Sequence, residues 1–244
     1  MLNQRTQGSW WQANGLPVEY GPRAAQSTRH SLYPVAKRCL DVIVAALALF
    51  LLSPVLVAIA VAIKLDSDGP VLHGQRRTGR YGRTFHFYKF RSMTSSVDHT
   101  EEHRKFAAAY INGHEVSATG DSNGRVIYKP AANAQRITRV GRWLRQTSLD
   151  ELPQLMNVLK GDMSLVGPRP TMDFETVLYT ERHQLRLAVL PGMTGWAQIH
   201  GRSGLAFDDI VSYDIEYIRQ RSFWLDVRVL ASTIPVVLRA EHAG

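Results

Sequence analysis

The sequence predicts a helix-rich α/β protein with a short β-hairpin, monotopic in a membrane through a re-entrant helix kinked at Ser53-Pro54. Three observations predict it. Residues 42–63 are 22 positions without a charge. Cations flank this run on both sides: Arg29, Lys37 and Arg38 before it, then Lys64, Arg76, Arg77, Arg80 and Arg83. Beyond it, short apolar stretches of strand and helix character alternate with Gly, Pro and Asn turns.

The chain has 244 residues, enough for one ordinary domain plus a membrane element. Residues 1–36 form a polar leader without an early apolar run, so they do not read as a secretory signal and are expected to be disordered. As one straight helix, residues 42–63 would be about 33 Å long, enough to cross a bilayer core. Pro54 argues against a straight helix, because it removes a backbone donor and presses on the carbonyl of Phe50. Ser53 can satisfy a carbonyl freed there. Positive charge marks the cytoplasmic side, and here both ends are positive. A helix that enters, bends and leaves on one face accounts for both features; a kinked spanning helix is the alternative. The single cysteine, Cys39, excludes an intrachain disulfide and reads as a small hydrophobe.

Asp68-Gly69-Pro70 reads as a turn. Residues 71–73 and 85–90 read as strands of a hairpin around a basic turn at 77–83. Residues 100–111 look helical, 112–130 a surface loop, and 137–144 a basic helix. A short helix is expected at 152–159, with Pro153 in its first turn and Ser148 and Glu151 as a capping box. That cap would place Asp150 and Glu151 in the first turn, where the helix dipole would keep them ionised. Lys160-Gly161-Asp162 ends that helix. Residues 174–190 read as one further helix and 191–195 as a turn-rich loop. Residues 210–218 and 224–238 read as apolar or amphipathic helices at the interface.

The net charge of +8 suits anionic partners. Zinc-finger, RRM and helix-turn-helix signatures are missing, so lipid and phosphate explain the charge better than nucleic acid. Asp150-Glu151 by itself could be simple charge complementarity at a helix start. The cations around it point further. Arg136, Arg139, Arg142 and Arg145 recur every three residues, which brings Arg145 toward the acids on a helix. Arg169 is aimed by Pro168 and Pro170, and Lys89 and Arg91 add charge at a strand end. Arginine bonds phosphate bidentately. With no P-loop, the pattern leaves covalent carboxylate catalysis or a Mg²⁺ site. A rival pattern, His99-Thr100-Glu101-Glu102-His103, matches an inverted zinc-peptidase motif but has no evident third ligand.

Taken in order, Lys37-Arg38, Asp41, Ser53-Pro54, Gly69-Pro70, Gln75-Arg76, Gly79, Gly82, Lys89-Phe90-Arg91-Ser92-Met93, Arg136-Ile137-Thr138, Gly141, Arg145, Ser148 to Gln154, Asn157-Val158, Gly161 to Pro170 and Pro191 to Gln198 resemble the bacterial sugar transferase family. These are the monotopic polyprenyl-phosphate glycosyl-1-phosphate transferases. The resemblance runs from Lys37 to Leu238, and the chain looks like their minimal form, most similar to the hexose-1-phosphate transferases that prime exopolysaccharide assembly.

The resemblance implies a reaction between a UDP-sugar and undecaprenyl phosphate with Mg²⁺, giving UMP. Asp150 would be the nucleophile, Glu151 a metal ligand beside it or a proton acceptor, and Arg145 and Arg169 phosphate binders. It implies a bacterial inner-membrane location, with residues 37–64 re-entrant and 65–240 a cytoplasmic catalytic domain with interfacial helices. A homodimer is plausible from the apolar C-terminal helices. A catalytically silent scaffold of an export complex is the reading from a different class. Two departures stand out: Ala134-Gln135 precedes Arg136 where the family often has Asp-Pro, and Ser92 replaces the usual Thr.

Overall fold

In the computed structural model, residues 32–94, 100–113, 118–120, 126–128, 137–201 and 204–238 are described. The apolar run becomes two helices, α1 (Tyr33–Leu51) and α2 (Ser53–Asp66), bent by 61°. The bend falls at Leu52, just before Pro54, as the missing N–H requires. Ser53 Oγ donates to the Phe50 carbonyl at 2.8 Å, so the break satisfies an oxygen that Pro54 frees. Among the described residues no single helix is long and apolar enough to cross a membrane, although the bent pair passes that test jointly. Phe50 and Leu51 at the bend are exposed.

The basic flank of α1 faces the domain. Lys37 Nζ donates to Asp226 Oδ2 at 2.9 Å and to the Val166 carbonyl at 3.0 Å. Arg38 donates to the carbonyls of Val158 and Leu159, capping the next domain helix at its C-terminal end. Asp41 is fully buried and accepts from Ser164 Oγ and Leu165 N.

The hairpin forms as expected, with longer strands: β1 (Leu72–Thr78) pairs antiparallel with β2 (Thr84–Phe90). The link carries a 3₁₀ turn, Arg80–Gly82, with Tyr81 at φ 57°. Outward on one side, β1 also pairs with β6 (Thr171–Met172), giving the order β2-β1-β6. The open edge of β2 is covered by Asn157, whose side chain accepts from Tyr88 N and donates to His86 O.

Helix α3 (Thr100–Ile111) matches its expected span. Strands β3 (Ala118–Gly120) and β4 (Val126–Tyr128) pair within the stretch read as loop; three-residue strands fall below the length at which alternation is legible. Helix α4 (Arg139–Gln146) starts two residues later than expected because Thr138 is its N-cap, accepting from Gly141 N. A Cβ at Gly141 would run into the Ser92 carbonyl, so only glycine lets α4 approach β2's exit this closely.

Helix α5 (Gln154–Lys160) ends at Gly161, which has φ 87°. The expected capping box does not form: Ser148 is left-handed, makes no side-chain cap, and precedes a separate 3₁₀ turn, Leu149–Glu151. Residues 174–190 are not one helix but two 3₁₀ turns, Thr176–Leu178 and Leu185–Ala188, around α6 (Glu181–Gln184). Thr180 stops the helix from extending backward, since it caps α6 reciprocally with His183. Nor is 191–195 only a loop: β7 (Gly192–Thr194) pairs in parallel with β5 (Ser164–Val166). Helices α7 (Trp196–His200), α8 (Phe207–Gln220) and α9 (Phe223–Leu238) complete the chain.

The largest core cluster joins α1, β2, α5, β5, α8 and α9 through Ala45, Phe87, Val158, Met163, Val166, Tyr217 and Val229. A second packs α2 on α4 through Ile59, Ile63, Phe90 and Leu144. Residues 1–31 of the expected leader, together with Arg136 and His99, lie outside the described residues.

Replacing Pro54 with Ala restores the missing donor and should straighten the pair. Spin labels at positions 43 and 61, with Cys39 replaced by Ser, should then report a longer distance; an unchanged distance would assign the bend to packing instead. Asp226→Ala leaves Lys37 without its carboxylate in a site where Asp226 is fully buried. It should destabilise the fold by about 3–5 kcal/mol, read as a fall in thermal midpoint. Glu101→Ala, at the exposed pair with Arg104, should cost about 1 kcal/mol or less.

Candidate active site

The acid pair sits on the 3₁₀ turn between α4 and α5, and four elements aim at it. Helix α4 brings Arg145, strand β2 brings Lys89, strand β1 brings Arg77, and the Gly167–Pro170 turn between β5 and β6 brings Arg169. Arg77 and Lys89 share a face, because both lie at even spacing from the Gln75↔Phe87 pair of the hairpin. Sequence reasoning missed Arg77 as a site residue; it appeared only as one cation among several after the membrane segment. The period-two alternation with Lys89 was the available signal.

Arg169 Nη2 donates to Glu151 Oε1 at 2.8 Å, a charge-assisted bond between partly exposed groups. Arg169 also lowers the proton affinity of Glu151. Burial is the largest single influence and pushes that carboxyl up, but the charge and hydrogen bond of Arg169, together with Gln154 and Lys89, bring the net direction down. Asp150 goes the other way. Burial and then the neighbouring Glu151 charge push it up to about 6, against opposing pulls from Lys89, Arg145 and Arg169. The expectation that a helix dipole would hold both acids low therefore fails: the pair is not in the first turn of α5, and its members repel. Burial, followed by Arg77, pushes Lys89 down, with Asp150 and Glu151 opposing.

Asp150 accepts no hydrogen bond among the described residues, whereas Glu151 is held by Arg169. The pair thus divides into a committed anion and a free carboxylate with raised basicity. At pH 7 a carboxyl near 6 is mostly ionised, and higher basicity makes a better nucleophile. Both features suit attack on phosphorus within a cationic frame.

Of the expected site residues, the structure gathers Asp150, Glu151, Arg145, Arg169 and Lys89. Arg145 is half-buried and lies beside Met93 Sδ, while Arg139 and Arg142 point to solvent. Arg91 is elsewhere. It is buried, and its guanidinium donates to the carbonyls of Ile63, Ser67 and Asp68 at the end of α2. It caps α2 instead of joining the site, because β2 ends at Phe90 and the period-two alternation that would put Arg91 on the face of Lys89 no longer applies. Ser53 and Pro54 make the helix break, as expected.

Among the described residues no group of three or more His, Cys, Asp or Glu converges as a metal cage. His103 of the rival zinc motif instead packs edge-on against Phe174. Mg²⁺ needs less than a cage, since it binds through one or two carboxylates plus substrate phosphates and water. The hard oxygens of Asp150 and Glu151 fit that mode.

A hydrophilic acid pair framed by cations lies beside a bent apolar helix pair, an arrangement suited to phosphate chemistry. The profile of the family "Bacterial sugar transferase" matches residues 32–240, and the chain belongs to that family. It is 38% identical over 255 residues to a UDP-glucose:undecaprenyl-phosphate glucose-1-phosphate transferase of Xanthomonas campestris pv. campestris, covering 100% of this chain and 46% of that protein. It is 40% identical to an undecaprenyl-phosphate galactose phosphotransferase of Salmonella typhimurium, covering 85% of this chain and 41% of that protein. An uncharacterised sugar transferase of Bacillus subtilis is 36% identical, covering 85% of this chain and 89% of that protein. The chain thus spans less than half of the first two relatives.

The split in proton affinity has a direct consequence. A reaction requiring the Asp150 carboxylate should gain rate as pH rises through about 6 and level off above 7. Lys89→Met removes the largest opposing pull and should move that limb to higher pH; a limb unmoved by the substitution would show that another group titrates.

Proposed function

We propose that the protein transfers a sugar-1-phosphate, glucose-1-phosphate or galactose-1-phosphate, from a UDP-sugar to undecaprenyl phosphate. The products are undecaprenyl-diphosphate-sugar and UMP, formed at the cytoplasmic face of the bacterial inner membrane as the first step of exopolysaccharide or other glycoconjugate assembly. The observation that carries this reading is the asymmetric acid pair: a free Asp150 of raised basicity beside a Glu151 held by Arg169. The activities named for the relatives support this donor and acceptor.

In the first step an Asp150 oxygen bonds to the sugar-side phosphorus, and the bond from that phosphorus to UMP breaks. UMP leaves with the bridging oxygen. In the second step an oxygen of undecaprenyl phosphate attacks the same phosphorus and the Asp150 carboxylate is released. Splitting the transfer avoids bringing two dianionic phosphates together at once. Arg145, Arg169 and Lys89 offset charge on the transferring phosphoryl group. Asp150 and Glu151 would hold Mg²⁺, which neutralises diphosphate charge when bound.

The bent helix pair is read as re-entrant, so both ends of the apolar segment stay on the side of the acid pair. This arrangement brings the lipid phosphate to the site by two-dimensional diffusion and supplies proximity. The inner-membrane lipid surface is then a partner, and a homodimer through the C-terminal helices remains part of the proposal.

UMP release by the detergent-purified protein, given Mg²⁺, undecaprenyl phosphate and a panel of UDP-sugars, tests this reading. One UDP-sugar should support turnover, and Asp150→Asn should reduce it by a factor of about 10³ or more, since a covalent nucleophile is lost. Equal UMP from both proteins would remove Asp150 from the role, and none from either, with the fold intact, would favour the silent scaffold.

A further inference from the structure

We infer that Arg77 is a positioning residue that aims Arg169 at the acid pair; the inference rests on the phosphate-binding half of the proposed function. Arg77 Nη1 donates to the Pro170 carbonyl at 3.3 Å and Nη2 to Gln75 Oε1 at 3.0 Å. The guanidinium lies over the Phe87 ring, 5.3 Å from its centroid. Its backbone pairs with Met172 in β6, two residues beyond the carbonyl that its side chain holds. The same residue therefore fixes the exit of the Pro168-Arg169-Pro170 turn twice, once through the main chain and once through the side chain.

Stability alone does not account for an arginine here. Its Nε is buried without a hydrogen-bond partner, and no described carboxylate lies within ion-pair distance. Burial pushes the guanidinium down to about 10. A buried N–H without a partner is a cost that an apolar side chain over Phe87 would avoid. Beyond burial, the charges it feels are those of Glu175 and of the site's Arg169 and Glu151. Repulsion between Arg77 and Arg169 disfavours any rotamer that folds Arg169 back over β1. The rotamer that remains places Arg169 on Glu151 at 2.8 Å.

Arg186 supports the same turn from the other side. It is buried, bonded to Asp214 Oδ2 at 2.6 Å and to the Tyr179 hydroxyl at 2.9 Å, and it donates to the Arg169 carbonyl at 3.5 Å. The consecutive carbonyls of 169 and 170 are thus each held by a guanidinium that makes no hydrogen bond to the acid pair. Prolines on either side of Arg169 restrict φ but leave the turn free to tilt as a unit. The two arginines remove that tilt.

Titration calorimetry of the full-length protein in detergent with inorganic pyrophosphate tests the inference without requiring turnover. Arg169→Ala should weaken binding about tenfold or more, as loss of a charge-assisted contact to phosphate does. Arg77→Ala should weaken it nearly as much, and the double variant should bind no more weakly than Arg169→Ala alone. Arg77→Lys keeps the charge and one bond to Pro170, and should recover most of the affinity. Wild-type affinity in Arg77→Ala, or a loss in the double variant equal to the product of the two single losses, would overturn the inference. So would a wild-type protein that does not bind pyrophosphate. Circular dichroism checks the fold; if Arg77→Ala does not fold, Arg77→Gln and Arg77→Lys carry the same comparison. Pyrophosphate binding with no UMP from any UDP-sugar would sink the sugar-phosphate reading and leave Arg77 in its role.

Discussion

Three charged residues on one face of α1 govern the rest of the structure. Lys37, Arg38 and Asp41 sit at spacings of one, three and four, so they share a helix face and leave the other apolar. Each is matched inside the domain: Lys37 by Asp226 and Val166 O, Arg38 by two carbonyls of α5, Asp41 by Ser164 and Leu165. Such groups are costly to bury unmatched, and a slip of α1 by one residue turns its face by about 100°. Only one register satisfies all three. Because β5 receives both Asp41 and Lys37, that register also locates the Gly167–Pro170 turn, and with it Arg169.

The site then follows from charge balance. Lys89, Arg145 and Arg169 face Asp150 and Glu151, which leaves the pocket with surplus positive charge before any ligand enters. One cation is consumed by Glu151, and the others keep Asp150 from rising further. The asymmetry between two adjacent carboxylates arises from which of them Arg169 can reach, not from their order in the chain.

Much of this was legible in the sequence where a local rule had no competitor. Pro54 within an apolar run dictates a break, and Ser53 was available to satisfy Phe50. The hairpin showed through its alternation, and Gly161 through its place after α5. The failures share a cause. The Ser148/Glu151 spacing matches a capping box, yet Glu151 is captured by Arg169, 18 residues away, and the reciprocal cap is lost. Arg91 adjoins Lys89 in a basic triplet, but its side chain answers carbonyls at the end of α2. In each case a long-range polar partner, invisible to spacing, overrode a short-range pattern. Arg77 is the converse, a site cation hidden among others because its importance lies in what it holds.

Ser148 has φ 57°, and Tyr81 is the other described non-glycine residue with positive φ. The left-handed geometry costs an ordinary side chain roughly 1–2 kcal/mol, and it turns the chain so that Asp150 and Glu151, two and three residues on, present their carboxylates toward the cations. The residue types that tolerate this backbone, glycine, asparagine and aspartate foremost, are the ones position 148 can accept without strain. Valine or isoleucine would be strained there, although the serine hydroxyl caps nothing. What position 148 supplies is a torsion angle, two residues away from the carboxylate it serves.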